Sequence, residues 1–486
     1  MYLLINYETI KFIRSIKSKI QMMKKLIILF FALQLFSNIF SQNQFKINLI
    51  GYDSVNSLVA IYHFGKNMYV LDTLKKDINN QFQINESKIK QIELISVLNE
   101  TNNIKWQIIN DHKPTEINIH RKLNFDSIAT NSEMNQAWYE IQKLDYLSDV
   151  KFENFKELLK ISETNGNLGM KKTIYEDITK TMHDRDSIFN QIVEKRGFKL
   201  LKSLQNLKYE FKFPSQIRGL DRKQQSLYVL NNYINYYDLD NKKIINAPNY
   251  MDRLEKFLQL SLNFGSDTSI NKLDYFISKI ESANDSSFYK IVCSDIVNFL
   301  SDNPNPFYEK TYIHVIRNYI LNKKFYWTSN EDIEKFNSIA NLLENNTIGN
   351  FAPDITFTLP DSTKMNLHSI NAKFTLLVFW DPDCKVCQKS LPILNNIYKE
   401  YKEKGLEIVG ICARKNSSYP LCWEYAKANG YGWIIGVDPY LESNYHMLYN
   451  VSNLPVIYLL EKNKIIINKK LKTDKLHDLL KFYLPN

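Results

Sequence analysis

The chain has 486 residues, too many for one core, so at roughly 100 to 200 residues per domain it divides into two to four. Hydrophobic residues make up 44% and aromatics 13%, with 30 Tyr and 28 Phe against 13 Gly and 13 Pro, which fits packed helices and excludes a disordered chain. The net charge of +10 is spread along the sequence, and the basic runs Lys75-Lys76, Lys171-Lys172 and Lys469-Lys470-Leu471-Lys472 are short and interrupted, so no nucleic-acid partner is expected.

The first structured signal is an export signal. Met22-Met23-Lys24-Lys25 precedes LIILFFALQLFSNIF (Leu26 to Phe40) and then Ser41-Gln42: a basic start, an apolar run and a small residue. A membrane-spanning helix needs about 20 apolar residues. This run is shorter and carries Gln34, Ser37 and Asn38, so cleavage near Ser41 is expected in place of a retained anchor, and membrane contact only if the segment is kept. No Cys follows the apolar run, which excludes acylation there, and the start is expected at Met22 or Met23. Residues 1–41 are set aside as the signal, and the mature chain is expected in the periplasm or otherwise outside the cytoplasm.

From Phe45 to Ile84 the chain breaks into short runs rich in Val, Ile, Tyr and Phe, separated by Asn, Asp and Gly. With QIELISVL (Gln91 to Leu98), Ile104 to Ile109 and Ile117 to Ile119, these predict a small antiparallel β domain over 42–124. The period then changes. From about Met134 to Asn345 apolar residues recur at helical spacing, as in YEIQKLDYL, FENFKELLKI, MDRLEKFLQLSL and KTYIHVIRNYIL, which predicts an all-α domain over 125–345 with one helix capped by Asn330. Its aromatic stripe reads as core, and no fixed-period repeat marks a solenoid. NNTIGNFAPD (Asn345 to Asp354) reads as a linker. Beyond it FTLLVFW, a helix through SLPILNNIYKEYKEK, LEIVGICA, a helix from Leu421 to Asn429, the hairpin PVIYLLEKNKIII and the helix KLHDLLKFYL alternate strand with helix, predicting an α/β layer fold over 346–486.

Five cysteines are too few for a disulfide scaffold. Cys293, alone in FYKIVCSDIVNFL, reads as a small buried core residue. The chemistry concentrates in FWDPDCKVCQKSLP (Phe379 to Pro392), where Cys384 and Cys387 stand between a strand and a helix. At a helix N-terminus the free N–H groups and the helix dipole stabilise a thiolate, while a cysteine one turn further in is sheltered. Cys384 is therefore the expected nucleophile and Cys387 the resolving thiol, with exchange passing through a mixed disulfide.

This segment resembles the active site of the thioredoxin superfamily, particularly its exported TlpA-like thiol-disulfide oxidoreductases. The family's Trp before the first Cys and Pro after the second are matched by Trp380 and Pro392, and its cis-proline facing the disulfide by Pro455 in NVSNLPVIYLL. The resemblance covers roughly Phe351 to Asn486. It implies a thioredoxin-like fold with a redox-active Cys384–Cys387 disulfide. A substrate groove at Trp380, Leu454 and Pro455 is also implied, with main-chain contacts at Leu454. Upstream, FKINLIGYDS and the NAPNYMDRLEKFL to ENNTIGNFAPDI run resemble, more diffusely, the N-terminal extensions of such proteins.

Two departures bear on mechanism. Where thioredoxin carries a buried Asp six residues before the first Cys this chain has Val378, and where TlpA-like reductases often place Glu three residues after the second Cys it has Ser390. Proton removal from Cys387 then falls to water or to Asp381 or Asp383, a function typically worth about 10² to 10⁴ in rate. Lys385 favours the Cys384 thiolate and Asp381 and Asp383 oppose it, so the charges partly cancel. That balance favours a reductase or isomerase over an oxidase.

Other readings remain open on the residues alone. Cys384, Cys387, Cys412 and Cys422 make a four-sulfur metal site conceivable, but nine residues separate the second pair, so no metal and no cofactor is expected. Cys412 and Cys422 form a bracing disulfide, stay as core thiols, or take part in a regulatory exchange. The eight histidines are scattered without metal-ligand spacing. The alternative function is a weakly active or redox-inactive scaffold that holds a client with its N-terminal domains. Expected partners are protein disulfides or thiols, and a reductase outside the cytoplasm implies a membrane electron donor.

Overall fold

The computed structural model describes residues 44–485 except 91, 100–103, 123–124, 212–213, 215–216, 218, 323–328 and 415–417, so the expected signal over 1–41 lies outside the described residues. Among the described residues no helix is long and apolar enough to cross a membrane. The chain forms two compact units, one running to Glu210 and including Asn241–Met251, the other Phe211–Asp240 with Asp252–Asn486.

The first unit opens with eight strands: β1 (Gln44–Ile50), β2 (Ser57–Phe64), β3 (Asn67–Lys75), β4 (Phe82–Asn85), β5 (Leu94–Asn99), β6 (Ile104–Ile109), β7 (Thr115–Lys122) and β8 (Phe125–Thr130). They make two four-stranded sheets, β4-β1-β7-β8 and β3-β2-β5-β6. Alternate apolar side chains of both sheets, among them Phe45, Ile47, Leu58, Phe82, Val97, Trp106, Ile108, Ile117 and Ile119, share one core. The small antiparallel β region expected here is present, and its pairing adds two details. β1 and β7 pair in parallel, and β8 continues to Thr130. The long helices Glu133–Thr164 and Leu168–Arg196 follow, the first capped by Ser132, whose hydroxyl accepts from Asn135 N. The Asn135 amide then exchanges two hydrogen bonds with the Ile109 backbone, fixing the helix start to β6.

The second unit carries further helices, including Ser286–Asp302, Glu309–Val315 and Asn330–Glu344, and then the thioredoxin-like layer. The cap of the last of these is Ser329, not Asn330: the Ser329 hydroxyl accepts from Asp332 N, since a hydroxyl one residue earlier reaches the free N–H better. Strands β9 (Thr356–Thr358), β10 (Lys364–Asn366), β11 (Phe374–Trp380), β12 (Leu406–Cys412), β13 (Ile434–Val437), β14 (Val456–Glu461) and β15 (Ile466–Lys469) form one sheet in the order β10-β9-β13-β12-β11-β14-β15. β11 is parallel to β12 and antiparallel to β14.

FTLLVFW is apolar except for Thr375, whose buried hydroxyl accepts from Lys464 Nζ, because the strand has two dry faces. Leu376, Val378 and Trp380 point into a core shared with the helices Lys385–Tyr401 and Thr473–Tyr483, while Leu377 and Phe379 enter the opposite core with Phe357, Tyr445 and Tyr449. Each such side chain, fully buried, stabilises the fold by about 1.5–3 kcal/mol. The C-terminal edge of this sheet is tied to the helical layer of the same unit. The ammonium of Lys469, completely buried, pairs with the Glu309 carboxylate and donates to Asn346 Oδ1, and Lys470 Nζ lies 3.5 Å from Glu309 Oε1.

Candidate active site

β11 delivers the chain to the site. Trp380 ends the strand, and Asp381-Pro382-Asp383 turns it: Asp383 N donates to Asp381 Oδ1 at 2.8 Å and Cys384 N to Asp381 O at 3.2 Å. The turn sets Cys384 as the N-cap of the helix Lys385–Tyr401, with extended backbone (φ −74°, ψ 110°). Its sulfur takes the place usually held by a Ser or Asp oxygen, accepting from Cys387 N at 3.2 Å. Cys384 is partly exposed, whereas Cys387, one turn on, is fully buried in the core with Trp380 and Leu391. Both are free thiols. Burial, and after it the hydrogen bond with Cys384, pushes the Cys387 thiol up to about 12.

Opposite the cysteines the Leu454–Pro455 peptide is cis, and the Cys384 thiol donates to Leu454 O at 3.5 Å. Leu454, seventy residues away in sequence, thus meets Cys384, with the cis-linked Pro455 next to it. Trp380 is placed differently. It lies wholly buried beneath the site, with ring centres 5.9 Å from Tyr425 and 6.5 Å from Trp433. The space for these tilted and edge-on rings comes from Gly410, where an added Cβ would stand 2.1 Å from Trp433 and 3.0 Å from Trp380 Nε1. Val378 and Ser390, where relatives of the thioredoxin type carry acids, are both buried.

These observations meet an independent comparison. Residues 348–469 match the AhpC/TSA family. The thiol-disulfide oxidoreductase ResA of Bacillus cereus (strain ZK / E33L) is 31% identical over 130 residues, which span 25% of this chain and 68% of that protein. The ResA of Bacillus anthracis is 32% identical over 130 residues with the same shares. The crystal structure of a thioredoxin-like protein from Bacteroides caccae ATCC 43185 aligns with 57% of this chain and 98% of its own at 19% identity and a TM-score of 0.45. The chain belongs to the thioredoxin-like thiol-disulfide oxidoreductases.

In this oxidoreductase one feature at the site escapes a reading of the sequence, and a second decides between alternatives the sequence leaves open. Arg414, two residues beyond β12, pairs with both acids that flank the cysteines: its Nε lies 3.2 Å from Asp381 Oδ2, and its NH2 contacts Asp383 Oδ2. β12 brings it there because Cys412 is the register partner of Trp380. Asp381 and Asp383 are therefore not lone opponents of a Cys384 thiolate; with exposed Lys385 the local charges come to two cations and two carboxylates. The second feature is a disulfide between Cys412 and Cys422, both fully buried. It leaves no thiolates at those positions for a four-sulfur metal site.

Proposed function

We propose that this oxidoreductase acts outside the cytoplasm and reduces or isomerises protein disulfides through Cys384 and Cys387. The observation that carries the reading is the division of labour at the helix start: one sulfur partly exposed and capping the helix, the other buried one turn inside. In the reducing direction the Cys384 thiolate attacks a substrate disulfide, forming a mixed disulfide and releasing one substrate sulfur, which takes up a proton. Cys387 then loses its proton and attacks Cys384 Sγ. The second substrate sulfur leaves as a thiol and the Cys384–Cys387 disulfide closes, so two electrons have passed to the substrate.

Because burial holds Cys387 protonated, it waits until the mixed disulfide forms and a base relieves it of the proton. Asp381, whose backbone carbonyl receives the Cys384 N–H and whose carboxylate is held by Arg414, is the acid that acts on the Cys387 thiol and suits that task. The balance of two cations and two carboxylates supports a reductase or isomerase, since a strong oxidant depends on a heavily stabilised thiolate. Turnover in that direction requires a membrane-bound electron donor to reduce the pair again. The basic and apolar segment at Met22 to Phe40 supports export, with the β domain, the helical region and the thioredoxin-like layer over 346–486 making up the mature chain.

The test is insulin reduction by the wild type and by Cys384→Ser, together with the reduction potential of the pair. Activity lost in the variant and a potential well below that of a strong periplasmic oxidant, about −120 mV, are expected. An inactive wild type would favour a scaffold, and a potential near that value would reverse the direction.

A further inference from the structure

A groove of about 720 Å³ opens beside the cysteines, within the usual range of binding clefts, roughly 300–1,000 Å³. One side is the thioredoxin-like layer: Pro455 and Val386, one of the two residues between the cysteines, line it. The other side belongs to the helical layer, where Pro304 and Pro306 face inward just before the helix Glu309–Val315. We propose that this groove binds an extended segment of the client polypeptide next to its disulfide, so that the helical layer supplies the second wall of the client site. The proposal rests on the disulfide-exchange reading above and extends it to residues outside the thioredoxin-like layer.

Three observations point to a polypeptide rather than a small thiol. Ser452 and Asn453, in the groove and exposed, have backbone N–H groups that make no backbone hydrogen bond among the described residues, and only Leu454 and Pro455 separate them from β14. Unpaired main chain beside a strand is what an extended peptide pairs with. Val386 is an apolar side chain left 59% exposed at the mouth, which suits an apolar residue flanking the client cysteine. The wall is also anchored. Glu309, itself in the groove lining, is held by the buried Lys469 ammonium, so Pro304 and Pro306 sit on a pinned support. The charges of the lining, Lys470 and Lys472 against Glu309 and Asp474, cancel, so shape and apolar contact select the segment and net charge does not.

Reduced, carboxymethylated insulin B chain serves as the probe, bound to the full-length Cys384→Ser/Cys387→Ser protein and followed by fluorescence anisotropy. Pro306→Trp, which fills the groove from the helical side, is expected to weaken binding about tenfold or more, and Pro304→Ser/Pro306→Ser about threefold. Raising salt from about 50 to about 500 mM is expected to change affinity less than about twofold. The rate at which iodoacetamide labels Cys384 in otherwise wild-type chains carrying each substitution checks that the fold is kept. No binding by the parent protein, or binding altered less than about twofold by both substitutions in folded chains, overturns the proposal, as does a steep salt dependence. Because the probe has no disulfide and the protein no active cysteines, this outcome is separate from any failure of the insulin-reduction assay.

Discussion

Breaking the Cys412–Cys422 bond gives a stability change that follows from its place in the chain. The bond joins residues ten apart, between the end of β12 and the helix Pro420–Ala428. For a closed loop of this length the chain-entropy relation gives roughly 2.7 kcal/mol of stabilisation at 25 °C. Replacing both cysteines with Ala also deletes two fully buried sulfur atoms, about 0.8 kcal/mol each if treated as methylene-sized groups. Cys412→Ala/Cys422→Ala should therefore lose roughly 4 kcal/mol, and the reduced wild type somewhat less. With a urea slope of about 1–3 kcal/mol per molar, the unfolding midpoint falls by more than about 1 M, read from tryptophan fluorescence, since Trp380 and Trp433 share this core. Because both sulfurs are sealed from solvent, a mild reductant at native conditions should open a Cys384–Cys387 disulfide and leave this one closed, as mapped by differential alkylation and mass spectrometry. A loss below about 1 kcal/mol in the double variant, or equal reduction of both pairs, would refute the structural role.

Iodoacetamide at about pH 8 should label Cys384 alone: Cys387, pushed up to about 12, and Cys293, buried against Tyr289 and likewise pushed up to about 12, stay protonated and react only after unfolding. The sign is that of an acid raised by burial, so labelling of Cys387 grows only as pH climbs toward its raised value. Arg414→Gln leaves Asp381 and Asp383 without their cation beside Cys384, disfavouring the thiolate and hence the reduced form; at about 0.5–1 kcal/mol for a partly exposed ion pair the potential should fall by roughly 10–20 mV, while Arg414→Lys keeps most of it. Gly410→Ala drives a methyl to within 2.1 Å of the Trp433 ring and should destabilise by about 1–3 kcal/mol in the same urea experiment.

Much of the site was legible because its signals are local. FTLLVFW reads as a strand in an α/β layer, and the structure shows its residues divided between two cores. The pair Cys384 and Cys387 at a helix start needs only short spacing, and Pro455 stands before a strand as its resemblance implies. What stayed hidden depends on partners far along the chain. Periodicity marks β1 and β7 as strands but carries nothing about their relative direction, so the parallel pair was missed. Arg414 looks like any surface cation until the β11–β12 register sets it over Asp381 and Asp383. Lys469, read as part of a basic surface run, is fully buried against Glu309, a residue 160 positions earlier.

Capture of a client on Cys387→Ser tests the account most directly. With the resolving thiol gone, Cys384 attacks a protein disulfide and the mixed disulfide has no internal route of release. Incubated with insulin and resolved by non-reducing mass spectrometry, the variant should carry one adduct, placed by peptide mapping on Cys384 and released by reductant. Absence of that adduct, or its attachment to Cys293 or to the Cys412–Cys422 pair instead, would contradict the assignment of Cys384 as the nucleophile.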